Sequence, residues 1–251
     1  MSASSRFPLP ASEKEYLRGV SGVIADPRDA EQYLYDSWER IQQVLVWAEE
    51  LQRAGARDAL ELGANPYFLT LLARRHLELK LTLANFFGDQ VARSPGRHVL
   101  QTPKGAIELA YDHFDVESDA FPYPDGSFDV VFFCEIIEHL LSEPRISEMR
   151  RVLRPGGHVL LTTPNATRLG NLVHLAKGLN IYDVYSSAGP RGRHNREYTL
   201  AEVVALVERH GLRPTRTLVR NIYPHPLRSR LVQWLRPEVW REHLFVLAQR
   251  D

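Results

Sequence analysis

The sequence predicts an α/β fold, a mostly parallel seven-stranded sheet with helices on both faces, behind an amphipathic helix near the N-terminus. Three observations predict it. Short apolar or alternating runs recur as RDALELG, LKLTLANFF, AIELAYDHFDVE, FDVVFFC and GHVLLTTPN, and helical-period segments separate most of them. Two later extended stretches, RPTRTLVRN and HLFVLAQR, suit closing strands at the sheet edge. Strands that alternate with helices require crossovers, and crossovers cover both faces of a parallel sheet. A hydrophobic fraction of 44% over 251 residues suffices for one large core.

Each element has a local reason. Residues 1–28 are polar and proline-bearing without a period, and read as an extension that wraps the surface or frays. From Asp29 to Ala54 the apolar positions Tyr33, Ile41, Leu45, Val46 and Leu51 recur at helical spacing. Residues 29–251 then form a single domain, with a core over about 57–165 and a lid over about 166–198. Asn65 followed by Pro66 reads as a helix start, asparagine capping and proline taking the first turn. Between Val99 and Ile107, TPKG predicts an added hairpin. EIIEHLL and SEPRISEMRRVL read as helical. Thr199 with Glu202 forms a capping box ahead of a helix that Gly211 ends.

Composition narrows the function classes. Formal net charge is zero and the pI is near 7.2, so no global field recruits nucleic acid or an anionic membrane. The single cysteine, Cys134, excludes an internal disulfide and a thiolate metal cluster. The start of the chain has no apolar signal region and no stretch reaches membrane-span length, which predicts a soluble, cytoplasmic protein. The arginine-biased NIYPHPLRSRLVQWLRPEVWREHL, 221–244, reads as an amphipathic helix that packs on the sheet, contacts a second copy in a homodimer, or touches a membrane surface weakly.

In an open α/β sheet the ligand crevice lies beyond the carboxyl ends of the strands. That rule selects Glu61, Gly63, Ala64 and Asn65 after the first strand, Asn85 after the second, Asp115 after the third, and Cys134 and Glu135 after the fourth. Glycine there lets backbone N–H groups approach a ligand, although Gly63 also has a plain packing reading. Asp125, Gly126, Pro155 and Gly156 read as turns. Trp38 and Tyr35 read as core or lid contacts, and isolated histidines such as His76 and His158 as surface or satisfied residues.

CEIIEHL stands apart because of its spacing. With a helix beginning near Glu135, the side chains of Glu135, Glu138 and His139 share one face. Two carboxylates so close need a cation or a proton between them. Carboxylate oxygens with imidazole suit Mg, Mn, Fe or Zn. The metal-free alternative makes His139 a base or an orienting group.

ALELGANPYF, then DVESDAFPYPDGSFDVVFFCEIIEHL, then RVLRPGGHVLLTTPN resemble the class I S-adenosylmethionine-dependent methyltransferases, whose fold is Rossmann-like. The resemblance covers about Asp58 to Asn165. It implies S-adenosyl-L-methionine as cofactor, with Glu61 and Gly63 beside its methionine and ribose parts and Asp115 and Val116 beside adenine. Two departures stand out: Asn65 occupies the place of a second turn glycine, and Asn85 that of the usual ribose-binding acid. The Glu-x-x-Glu-His pattern resembles Hen-type small-RNA 2′-O-methyltransferases and ubiquinone-pathway O-methyltransferases. That likeness implies a divalent metal, Mg or Mn, on Glu135, Glu138, His139 and His194, the last in GRHNREYT, with Glu138, His139 and His194 as catalytic groups. The RHNREYT ending resembles bacterial methyltransferases of surface-glycan pathways, so the expected acceptor is a saccharide hydroxyl. In the segment 170–199, Tyr182 and Tyr185 are expected to stack on a sugar, and Arg191, Arg193 and Arg196 to meet an anionic acceptor or water. RNA 2′-hydroxyls and a non-catalytic cofactor-binding scaffold are the alternatives. An NAD-dependent dehydrogenase stands further off, because the full Gly-x-Gly-x-x-Gly turn is absent.

Overall fold

Eight strands and six helices are present among the residues described, which are 7–22, 26–182, 193–223 and 237–251 in a computed structural model. Packing divides the chain into two compact units, one ending at Phe114 and the other beginning at Asp115.

In the first unit, helix α1 (Ala11–Arg18) and the long helix α2 (Pro27–Arg53) precede strand β1 (Asp58–Leu62). Asp26 caps α2 by accepting the Arg28 N–H at 2.8 Å. Of the apolar positions expected at helical spacing, Ile41, Leu45 and Leu51 are buried and Tyr33 and Val46 half-buried; Leu34, Val44, Trp47 and Ala48 are buried with them, and so are the polar Arg40, Gln42, Gln43 and Glu49. Trp38 is buried with them, in line with a core reading, whereas Tyr35 is exposed. Helix α3 (Phe68–His76) follows β1 and starts later than expected. Its N-cap is Tyr67, in the left-handed region at φ 69°, so Asn65 and Pro66 belong to the preceding turn. Strand β2 (Lys80–Asn85) runs parallel to β1. Strands β3 (Gly96–Thr102) and β4 (Gly105–His113) form the hairpin that TPKG predicts, and β4 also pairs parallel with β2.

The N-terminal extension does not fray over the residues described. Tyr16 and Leu17 of α1 are buried, Arg75 grips Glu13 through two bonds of 2.8 and 2.9 Å, and Ser21 bridges to Gln101. Eight residues are too few to show a period, but two buried apolar side chains and an ion pair hold them.

In the second unit, strand β5 (Phe128–Cys134) pairs parallel with β6 (Leu153–Pro164). Val130 to Phe133 are wholly buried, which explains a continuous apolar run rather than an alternating one. Helix α4 (Ile146–Val152) lies between these strands in sequence, and α5 (Leu169–Ala176) follows β6. The capping box holds at the start of α6 (Leu200–Arg209), where Thr199 and Glu202 bond each other's backbone. Strand β7 (Leu212–Arg220) pairs antiparallel with β8 (His243–Arg250), which in turn pairs antiparallel with β6. The sheet pairing is therefore mixed, with eight described strands where seven, mostly parallel, were expected. The extra strand is β3, and the antiparallel pairs arise because a hairpin and two sequence-late strands need no crossover.

The PDG turn expected before β5 is present, whereas Pro155 and Gly156, expected to turn ahead of a strand, lie inside β6. Arg151 anchors the PDG turn by donating to Tyr123 O at 2.9 Å, Asp125 at 2.7 Å and Phe121 O at 3.1 Å. A Cβ on Gly157 would meet Arg154 O at 2.9 Å and Asp129 O at 3.1 Å, so only glycine fits there. No described helix is long and apolar enough to cross a membrane. Of the expected helix over 221–244, residues 224–236 lie outside the described residues, while Glu238–Trp240 form a 3-10 turn and His243 begins β8.

Packing of α1 has a direct test. Leu17 is 1% exposed, so Leu17→Ala should lower stability by about 2 to 4 kcal/mol in urea titration. An unchanged midpoint would mean that the helix frays.

Candidate active site

In the first unit the expected cofactor residues gather at the end of β1. Glu61 is buried, and its Oε2 accepts the Thr70 hydroxyl at 2.7 Å. Burial pushes its carboxyl up to about 8, because one hydroxyl does not replace the water that a carboxylate loses. Gly63 has φ 61° and opens the turn, and the Ala64 N–H returns to Ala84 O at 3.2 Å. Asn85 is buried and turned inward. Its Oδ1 accepts the Asn65 N–H at 2.8 Å, and its amide donates to Tyr67 Oη at 2.9 Å. Tyr67 Oη in turn lies 2.8 Å from His98 Nδ1. The Asn85 side chain is thus engaged internally and props the Asn65 turn. The sequence signalled a neutral group at this place but not its partner, since Tyr67 is reached only through the fold.

In the second unit Asp115 is buried, with its Oδ1 accepting the Glu117 N–H at 2.9 Å, and the Val116 carbonyl accepts the Arg145 N–H at 3.0 Å. The Cys134 thiol is partly exposed and sits 3.8 Å from Leu160 O.

CEIIEHL does not form the expected helix. Glu135 takes φ 55°, a left-handed conformation that costs a non-glycine residue about 1 to 2 kcal/mol, and only Ile137–His139 make a single 3-10 turn. The kink separates the two glutamates. Glu135 Oε1 accepts the Thr162 hydroxyl at 2.8 Å and meets His243 Nε2 at 2.7 Å. Glu138 points elsewhere and is buried, its Oε2 accepting the Thr163 hydroxyl at 2.9 Å. Burial first, and the nearby Glu135 charge second, push the Glu138 carboxyl well above the usual range.

Residues 193–196 are hydrogen-bonded onto this turn. The Glu138 carbonyl accepts the N–H groups of Asn195 at 2.7 Å and Arg196 at 3.2 Å, and the Asn195 amide donates to His139 O at 2.8 Å. His139 Nδ1 lies 3.0 Å from the Arg193 carbonyl, and the His139 and His194 rings meet edge to face with centroids 4.9 Å apart. Glu138, His139 and His194 each offer a ligand atom, all within 4.8 Å of one another. Three of the four expected metal ligands therefore come together, and Glu135 is held by Thr162 and His243 instead. Sequence reasoning missed Thr162, Thr163, Asn195 and His243. Their roles depend on strand pairing that places β6 beside β5 and β8 beside β6.

The arrangement can hold a hard or borderline dication on one carboxylate oxygen and two imidazoles, or it can accept a proton from a hydroxyl. Within the segment expected to be a lid, Leu169–Ala176 is helical, Tyr182 is 47% exposed, and Tyr185 and Arg191 lie outside the described residues. Arg196 lies against the Tyr198 ring and pairs with Glu202 at 2.7 Å, so its charge is already met.

Residues 60–161 match the family model described as methyltransferase domain. The chain is 29% identical over 185 residues to a Mycolicibacterium smegmatis protein named "Probable S-adenosylmethionine-dependent methyltransferase", covering 72% of this chain and 61% of that one. A Mycobacterium tuberculosis protein of the same description is 32% identical over 130 residues, covering 51% and 43%. The chain thus spans about three fifths or less of the length of these relatives. Among solved structures, the citrinin polyketide synthase CMeT domain gives a TM-score of 0.54 at 15% identity, covering 91% of this chain and 57% of that one. A chain from the complex of the Haloferax volcanii Trm112 methyltransferase activator with a methyltransferase gives 0.50 at 13%, covering 86% and 97%. At such identities these likenesses speak to the fold alone.

Glu61 carries a pH prediction. Its folded pKa is raised from 4.5 to about 8, so the folded state holds a proton that the unfolded state releases, and stability falls as pH rises through that window. Glu61→Gln should remove this part of the slope and stabilise the protein at about pH 8 by about 1 to 3 kcal/mol. Urea midpoints of both proteins at about pH 5 and pH 8 check it; parallel slopes would contradict it.

Proposed function

We propose that this chain, whose sequence and fold matches support the class I S-adenosylmethionine-dependent methyltransferase superfamily, moves a methyl group from S-adenosyl-L-methionine to a hydroxyl, on a saccharide or surface glycan, with a divalent metal such as Mg or Mn holding the acceptor. The observation that carries the reading is the Glu138, His139 and His194 cluster, with its ligand atoms within 4.8 Å. The donor set fits such an ion: one hard carboxylate and two borderline imidazoles, with the carboxylate buried and short of counter-charge.

Bound S-adenosylmethionine supplies an electrophilic methyl, and a bound dication lowers the pKa of a coordinated hydroxyl. The protein's own part is orientation and proton handling. Thr163 holds one Glu138 oxygen, and the Arg193 carbonyl accepts a hydrogen bond from His139 Nδ1–H, which leaves Nε2 as the basic nitrogen of that ring. As the acceptor oxygen forms its bond to carbon, the sulfur keeps the electron pair of the broken bond and the hydroxyl proton must leave. An imidazole of the cluster is the nearest group suited to take it. In the first unit, Glu61 and the Gly63 turn are the groups suited to the methionine and ribose parts, with Asn85 acting through Asn65. The metal-free version of the same chemistry keeps His139 Nε2 as the sole base, and the His139–Arg193 contact favours it equally.

The saccharide reading rests on the RHNREYT resemblance, and the chain's charge bears on the RNA alternative. A zero formal charge supplies no field for a phosphate backbone, which disfavours RNA over a neutral sugar. Calorimetric titration of chelator-treated protein with Mn²⁺, and separately with S-adenosylhomocysteine, tests the reading. Wild type should take up both, while Glu138→Ala and His194→Ala should lose Mn²⁺ uptake and keep S-adenosylhomocysteine. Cofactor binding without Mn²⁺ uptake would leave the metal-free version, and failure to bind S-adenosylhomocysteine would favour a scaffold.

A further inference from the structure

A neutral imidazole offers a lone pair from one nitrogen only, and the nitrogen that carries the proton is set by what the ring touches outside the site. Both rings of the cluster are held at Nδ1. The Arg193 carbonyl can only accept, so it fixes the proton on His139 Nδ1. For His194 the outer partner is Glu197, whose Oε1 lies 3.4 Å from Nδ1, the long end of a hydrogen bond.

Glu197 is itself built in. It is 6% exposed, and its Oε2 accepts Arg168 Nη1 and Asn171 Nδ2, each at 2.6 Å. Asn171 is buried and also donates to Ala166 O at 2.9 Å, which fixes its amide. Burial raises the Glu197 carboxyl, but the hydrogen bonds and the Arg168 charge outweigh it and hold the group below the usual range, as a carboxylate that accepts. An ionised, immobilised acceptor beside Nδ1 is a device for orienting a ring, and it comes from the segment expected to be a lid.

We infer that Glu197 is a positioning residue, which holds His194 in the Nδ1–H tautomer and so turns its Nε2 toward Glu138 and His139, with Arg168 and Asn171 fixing the carboxylate. The inference rests on the metal reading for its purpose, but the tautomer is a property of the metal-free protein. Glu197 is buried, and its role is argued through His194.

The experiment is nitrogen NMR of histidine-labelled, chelator-treated protein at about pH 8, with the His194 signals assigned by loss in His194→Gln, followed by Mn²⁺ calorimetry. Wild type should show His194 protonated at Nδ1. Glu197→Ala should shift it toward the Nε2–H form and weaken Mn²⁺ binding about 10- to 100-fold, with S-adenosylhomocysteine affinity unchanged. Glu197→Asp should restore part of both. If Glu197→Ala does not fold, Glu197→Gln and the wild-type tautomer still decide. An Nε2–H His194 in wild type, or a tautomer and Mn²⁺ affinity that ignore Glu197, overturns the inference. An Nδ1–H tautomer that depends on Glu197 in a protein that takes up no Mn²⁺ upholds the positioning role and removes the metal reading instead.

Discussion

The candidate site depends on one seam of backbone hydrogen bonds, in which residues 193–196 lie along the turn at Glu138 and His139. More than fifty residues separate the partners in sequence. Without the seam, His194 would belong to a surface loop and Glu138 would be a buried carboxyl facing nothing. The seam satisfies the Glu138 carbonyl twice, which a lone 3-10 turn cannot do for itself. That backbone economy brings two histidine rings into contact, and the side-chain chemistry follows from it.

Separation of the two glutamates is the second constraint. Two carboxylates brought together resist joint ionisation, and here each has its own hydrogen-bond partners while the Glu135 charge still raises the Glu138 carboxyl. The left-handed Glu135 swings its side chain to Thr162 and His243, while Glu138 remains buried beside Thr163. The local strain is of the order tolerated at functional sites, where the surrounding packing compensates for it. Here the compensation is the wholly buried run of β5 that ends at Cys134 and the pairing of Glu135 N–H with Thr162 O at 3.0 Å.

A parallel logic shapes the first unit. Asn85 stands where a carboxylate was expected, and a carboxylate could not donate to Tyr67 Oη as the amide does. The amide also accepts the Asn65 N–H, so one neutral side chain props the turn that departs from the expected glycine pattern. The two departures noticed in the sequence thus meet in space, through the Asn65 backbone N–H.

Secondary structure was legible where a single period or a single turn governs the outcome: the buried stripe of α2, the apolar run of β5, the TPKG hairpin, the Thr199 capping box and the PDG turn. Spacing alone marked Glu135, Glu138 and His139 as a group, because two carboxylates so close need a cation or a proton between them, whereas His194 entered only through the resemblance to Hen-type methyltransferases. What the sequence could not show were effects of tertiary pairing. Residues 11–18 of the N-terminal extension form a docked helix because Leu17 finds a core and Glu13 finds Arg75. Glu135 leaves the cluster because β6 and β8 bring Thr162 and His243 to it. Composition and spacing by themselves determined the elements and the chemical palette of this protein. The orientation of each side chain, and with it the ligand set, was decided by long-range hydrogen bonds whose partners lie too far apart in sequence for any local period to record them.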